Sequence, residues 1–185
     1  MQAHRNFRSR RRARQQGAVA VMFALALVVL MGFAGLALDG ARLYVNRAEL
    51  QNAADACALA VAQELPSSGN TTLALRQRAR DAGLRVATRN RIDFQQQALT
   101  DADVTVEFSR SATGNPWLAA DAAPADARFA RCKVAPSAVT LWFMPVLGQG
   151  SAQVNALAGA TRDISGNNCA ARPPDNCTTV ASLVR

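Results

Sequence analysis

Four cysteines, Cys57, Cys132, Cys169 and Cys177, are the side chains of this sequence most ready to do covalent chemistry. In a chain bound for an oxidising compartment such thiols pair as disulfides. Four of them allow three connectivities, and spacing alone does not choose among them. Cys169 and Cys177 enclose a short loop with two prolines that could close locally. Cys57 falls on the apolar face of a predicted helix and Cys132 in a predicted strand, so that pair could staple helix to sheet. The expected pairing is therefore 57–132 with 169–177. Zinc is the competing use of cysteine, but the chain has no Cys-x-x-Cys pair, and its single histidine, His4, stands in the N-terminal tail. No metal and no cofactor is expected.

Catalytic constellations are equally sparse. Without a histidine beyond the tail there is no imidazole base and no Ser/His/Asp triad. Walker loops and dinucleotide fingerprints are absent from the sequence. Asp163-Ile164-Ser165-Gly166-Asn167 approaches the Asp-x-Ser-x-Ser metal motif of von Willebrand A domains, but Asn167 replaces the last serine, and the stretch reads as a turn. Asn70-Thr71-Thr72 and Asn176-Cys177-Thr178 match glycosylation sequons, a pattern common by chance. The chain is expected not to be an enzyme.

The charge is as unevenly placed as the chemistry. Arg5, Arg8, Arg10, Arg11, Arg12 and Arg14 crowd the start with no acid among them. Setting those six aside leaves 15 of the 21 basic residues against 13 acidic ones, a nearly neutral body behind a basic tail. Tyr44, Trp117 and Trp142 are too scattered to stack on bases, so nucleic-acid binding is not expected. The tail instead reads as a topology signal. From Ala18 to Leu38 no residue is charged. A helix of that length spans about 30 Å, the thickness of a bilayer core. By the positive-inside rule the tail, residues 1–17, stays in the cytoplasm and the chain from Asp39 is exported. Signal peptides have a shorter apolar region, although Gly35-Leu36-Ala37 offers a small-x-small cleavage site, and prepilin-type processing after Gly17 is the other alternative. Ala20, Ala24, Gly32 and Gly40 recur at multiples of four, a spacing that permits homo- or hetero-association of membrane helices.

The helix is not expected to stop at the membrane. Residues 39–65 contain no proline, and Leu36, Leu43, Leu50, Ala54, Cys57 and Val61 share one face, with Arg42, Glu49, Asn52, Asp55 and Gln63 on the other. Leu43, Leu50, Ala54, Cys57 and Val61 form the expected packing stripe. Pro66-Ser67-Ser68-Gly69 ends it. A second helix is predicted over Leu73–Arg89, with Leu75, Ala79, Ala82 and Val86 inward. Its Arg76, Arg78, Arg80, Arg85 and Arg89 are expected to form a solvated face, contact with anionic headgroups or an acidic partner being the alternative. Asp103–Arg110 alternates as a half-buried strand does. Ala112–Asp126 reads as a loop, Arg128–Val134 and Ala138–Phe143 as strands, and Gln153–Arg162 as a fourth. The sum, over residues 66–185, is an α+β domain with a cysteine-containing C-terminal loop, in which the long helix packs on a second helix and a small antiparallel sheet.

The N-terminal third, GAVAVMFALALVVLMGFAGLALDGARLYVNRAELQNAADACALAVAQEL, resembles the N-terminal region of TadG-like Flp pilus-assembly proteins. The basic tail, Gly17 with the Ala/Val-rich run, Leu38-Asp39-Gly40-Ala41-Arg42, and Glu49 through Ala56 carry the resemblance. It implies a single-pass protein of the bacterial inner membrane, with its C-terminal part in the periplasm. It would work with other components of the tight-adherence (Tad) secretion system, which assembles pili for adhesion and biofilm formation. Larger members carry a von Willebrand A-type domain, which is not expected here. The related pseudopilins TadE and TadF are cut by a prepilin peptidase, whose sites typically have glutamate at the fifth position after the cut. Met22 stands there, which favours an anchor that remains whole. A minor pilin cut after Gly17 and a secreted envelope binding module released after Ala37 are the alternative functions.

Overall fold

The structure, a computed structural model, describes residues 16–66, 70–113, 116–162 and 181–184. Its longest element is α1, Gln16–Glu64, 49 residues without a break. At 1.5 Å per residue it is roughly 73 Å long. The helix stops where it must, two residues before Pro66, whose ring disfavours helical geometry in the residue ahead of it. Arg162 then donates to two carbonyls left open at this end, those of Gln63 at 3.3 Å and Leu65 at 3.2 Å.

α2, Leu73–Ala87, begins at Thr72, whose hydroxyl accepts the Leu75 N–H at 3.2 Å. It ends at Thr88, whose N–H bonds the Leu84 carbonyl. A four-stranded antiparallel sheet follows, in the order β3-β4-β7-β8: β3 Val104–Ser109, β4 Phe129–Val134, β7 Ala156–Arg162 and β8 Ala181–Val184. Two small hairpins flank it, β1 Arg91–Ile92 with β2 Gln97–Ala98, and β5 Val139–Thr140 with β6 Ser151–Ala152. The fold is α+β, with a long N-terminal helix and a second helix packed on small antiparallel sheets.

The strands alternate, as a sheet covered on one side requires. Val104, Val106 and Phe108 of β3, Ala130, Cys132 and Val134 of β4, and Ala156, Ala158 and Ala160 of β7 are buried on one face. Against them α1 sets Leu50, Ala53, Ala54, Cys57, Ala58, Val61 and Ala62, all fully buried. Small side chains on both sides let the helix axis lie close over the sheet. The Cys57–Cys132 disulfide ties the two layers across the middle of this contact, with Cα atoms 6.1 Å apart. On the opposite face of the sheet Arg131 pairs with Glu107 directly across the β3–β4 ladder and lies 4.4 Å from the centre of the Trp117 ring.

α2 meets α1 closely at Gly83. A β-carbon there would lie 2.4 Å from Val61 Cγ2 and 3.1 Å from Cys57 Sγ. Val61 is fully buried, so it has little room to turn away. Gly83→Ala gains about 1 kcal/mol of helix propensity but overpacks this contact by about 1–3 kcal/mol. A net loss of stability, read as a lower urea midpoint, is the expected outcome; an unchanged or higher midpoint would mean that the two helices separate freely.

Several elements depart from the sequence reading. Leu36 is half exposed and Leu43 only partly buried, so the continuous packing stripe begins at Leu50. Ala138–Phe143 is not one strand: pairing stops at Thr140, and Met144–Leu147 closes a 3-10 turn around Pro145. Arg76 is not solvated. It is 6% exposed, and its guanidinium donates to the carbonyls of Ala120 at 2.8 Å and Thr71 at 2.7 Å. Those carbonyls have no strand to pair with, and a buried arginine with five donors satisfies them. The arginine tail, the Cys169–Cys177 loop and the turn at 163–167 lie outside the described residues.

Candidate functional site

The densest polar cluster on α1 sits where its uncharged run ends. Asp39, Arg42, Asn46 and Glu49 follow one another at steps of three, four and three, which places them along one side of a helix. Each reaches a segment distant in sequence.

Asp39 is 2% exposed. Its carboxylate accepts three backbone N–H groups: Trp142 at 3.0 Å, Phe143 at 2.9 Å and Met144 at 2.8 Å. These are the open donors at the start of the 3-10 turn Met144–Leu147, so Asp39 caps that turn from another element. Burial by itself raises the Asp39 carboxyl. The three N–H donors, aided by the charge of Arg42, outweigh it and hold the group below its ordinary value of 3.8.

Arg42 lies one turn further on. Its Nε and Nη2 donate to the two carboxylate oxygens of Asp93 at 2.7 and 2.6 Å, a bidentate pair. Its third nitrogen donates to the Thr140 carbonyl at 2.7 Å, and its plane lies 4.5 Å from the centre of the Trp142 ring. Asp93 is held below the ordinary carboxylate value first by the Arg42 hydrogen bond, which prevails over burial, and then by Asn46 and the Arg42 charge. Asn46 is fully buried. Its amide donates to the Arg42 carbonyl, and its oxygen accepts the Asp93 N–H at 3.1 Å. Glu49 accepts from Gln95 at 3.0 Å through Oε1.

The hairpin tip that meets this face is bent sharply. Asp93, Phe94 and Gln95 all have positive φ, 56°, 56° and 66°. A run of left-handed residues without glycine is unfavourable for L-amino acids and persists only where surrounding bonds fix it. Here Arg42, Asn46 and Glu49 supply them, and Arg91 donates to the carbonyls of Gln95 and Gln96 at 2.7 Å each.

The polar groups of this cluster are spent on other parts of the chain, apart from Glu49 Oε2, which is buried with no hydrogen bond among the described residues. Its chemistry is therefore that of a clamp. It joins both hairpins, β1–β2 and β5–β6, to the stretch of α1 between the apolar run and the core. Among the described residues no group of His, Cys, Asp and Glu is arranged to hold a metal ion. Of the residues singled out by sequence, Leu50, Ala54, Cys57 and Val61 converge in the core and Cys57 bonds Cys132. Sequence reasoning does not pick out Asp39, Asn46 and Asp93 as a site, and it places Arg42 and Glu49 on the face opposite the apolar stripe. The available signal is the run of polar residues at helical spacing on the side that becomes apolar from Leu50 onward.

Before the clamp, α1 is almost bare. Val19, Val21, Met22, Phe23, Leu25, Val28, Leu30, Met31 and Phe33 are exposed, and an 18-residue window here has mean hydropathy 2.7, with 6% of it buried. By length and composition this helix could cross a membrane. Residues 17–64 match the family model Tad, Flp pilus-assembly TadE/G-like. The matched stretch is α1 almost end to end, including the apolar run, the clamp residues 39–49 and the packing stripe. No curated protein and no solved structure matches the chain.

Proposed function

We propose that this protein is a bitopic inner-membrane component of a Tad-type system that assists the assembly or anchoring of Flp pili and has no enzymatic activity of its own. In this reading residues 1–17 are a cytoplasmic tail, 18–38 the span, 39–65 the periplasmic continuation of the helix and 66–185 the domain packed on it. One observation carries it: the family match coincides with the helix that holds both the bare apolar run and the docking surface of the domain.

Two further features support it. A disulfide between Cys57 and Cys132 belongs in an oxidising compartment, which supports a domain on the side opposite the arginine tail. Gly35 is buried against Phe143, so release after Ala37 would cut the helix inside a folded contact. The same contact argues for a helix that stays joined to its domain.

The deciding experiment is the intact mass of the protein extracted from membranes, paired with pilus yield in cells lacking the chain. A mass that includes the arginine tail, together with loss of surface pili that the full chain restores, is expected. A chain starting at Ala18 and recovered in sheared fibres would replace this reading with that of a minor pilin. A soluble chain starting at Leu38 would replace it with a secreted module.

A further inference from the structure

We propose that the loop Trp142–Leu147 is a second membrane-contacting element, seated in the outer leaflet beside the helix and holding the domain down on the bilayer. This rests on the reading that residues 18–38 span the membrane.

The geometry starts from Gly35. It lies inside the uncharged run, one turn before Asp39, and a β-carbon built on it would stand 2.7–2.9 Å from Phe143 Cγ, Cβ and Cδ1. Phe143 therefore packs on the helix at a level within the span, and the loop that carries it descends to that level. The surface it presents there is apolar. Trp142 is 63% exposed, Phe143 45%, Val146 88% and Leu147 72%. No charged residue occurs between Lys133 and Arg162.

Lipid demands more than apolar side chains, because it leaves no water for backbone donors. The loop meets that demand. Asp39 accepts the N–H groups of Trp142, Phe143 and Met144, Pro145 has none, that of Leu147 lies within the 3-10 turn Met144–Leu147, and those of Val146, Gly148 and Gln149 bond to Phe143, Pro145 and Met144 carbonyls within the loop. Tyr44, 77% exposed, stands one turn and a half beyond Asp39 on the helix, so tyrosine and tryptophan both lie at the water-side end of the span, where such rings concentrate. A protein partner could cover an apolar loop too. The occupant is lipid, because Phe143 touches the spanning segment itself.

Depth-dependent quenching tests this on the full chain in phosphatidylcholine/phosphatidylglycerol vesicles containing lipids brominated near the headgroup or deep in the tail. With Trp117→Phe the only tryptophan is Trp142; with Trp142→Phe it is Trp117. Expected is strong quenching of Trp142, greater from the shallow bromines, with a blue-shifted emission, while Trp117 stays unquenched. A third variant, Leu30→Trp with both native tryptophans changed to Phe, reports on the span and should be quenched by the deep bromines. If this span reporter is quenched and Trp142 behaves like Trp117, the loop proposal is overturned while the spanning reading stands. If the span reporter is not quenched either, both fall. A Trp142 that is open to aqueous iodide in vesicles but shielded in native membranes would also overturn the loop proposal, in favour of a protein partner.

Discussion

Removing the Cys57–Cys132 bridge lowers the stability of the α+β domain by about 2–5 kcal/mol. The two residues are 75 apart in sequence. In the chain-entropy account, closing a loop of that size disfavours the unfolded chain by about 4 kcal/mol. The position of the bond adds to its effect. Both cysteines are fully buried, one on α1 and one on the central strand β4, and the pair is the only covalent tie between helix and sheet among the described residues. A Cys57→Ala/Cys132→Ala chain should show a urea midpoint lowered accordingly, and the unaltered protein should fall at least as far after reduction, which also opens the bond expected between Cys169 and Cys177. The Cys57→Ala single variant also leaves a free thiol on β4, so the double variant is the cleaner comparison. A loss under about 1 kcal/mol would mean that packing of alanine against alanine already fixes the helix on the sheet.

Asp39→Ala should detach the β5–β6 hairpin and its loop from α1 while leaving the core folded. The change removes the acceptor of three backbone N–H groups at once, and among the described residues they have no other. Amide exchange at Trp142, Phe143 and Met144 should accelerate on the order of tenfold or more. Amides of β3 and β4 should keep their protection. Protonation performs the same experiment reversibly. Asp39 and Asp93 both have folded values below the ordinary 3.8, so on acidification the unfolded chain takes up their protons first. The clamp's contribution is therefore complete at neutral pH and erodes as pH falls through 3.8 and below. Asp39→Asn should flatten that dependence at the loop. If exchange at 142–144 is unaffected by Asp39→Ala, the capping role assigned to this carboxylate is wrong.

The long helix is legible in the sequence because its signals are local. An uncharged run of bilayer length, the absence of proline, and the stripe from Leu50 to Val61 all follow from residues close in sequence. β3 and β4 are legible for the same reason, through alternation. The clamp is not, because what defines Asp39 or Arg42 is a partner about 50 to 100 residues away: Asp93, Thr140 or the amides of 142–144. A helical wheel assigns a charged side chain to water by default. It has no means of showing that a loop will arrive bearing three open N–H groups. Arg76 illustrates the same limit, since one of its partners, the Ala120 carbonyl, is 44 residues away. The strand expected at 138–143 fails differently. Leu141-Trp142-Phe143 has strand-like composition, but Pro145 and the pull of Asp39 turn the chain instead.

In the proposed bitopic reading, the unbroken course of α1 makes the domain a lever on the bilayer. No proline interrupts the helix between the apolar run and the last buried turn, and the clamp stiffens the segment between them. From Asp39 to Glu64 the arm is roughly 39 Å long. Spanning helices adopt tilts from about 0° to 40°. A change of about 10° would swing the far end of the domain sideways by roughly 7 Å. Anything that reorients the helix in the membrane, a neighbouring helix or a thinner bilayer, thus moves the whole folded part as one body, with no hinge in α1 to absorb the motion.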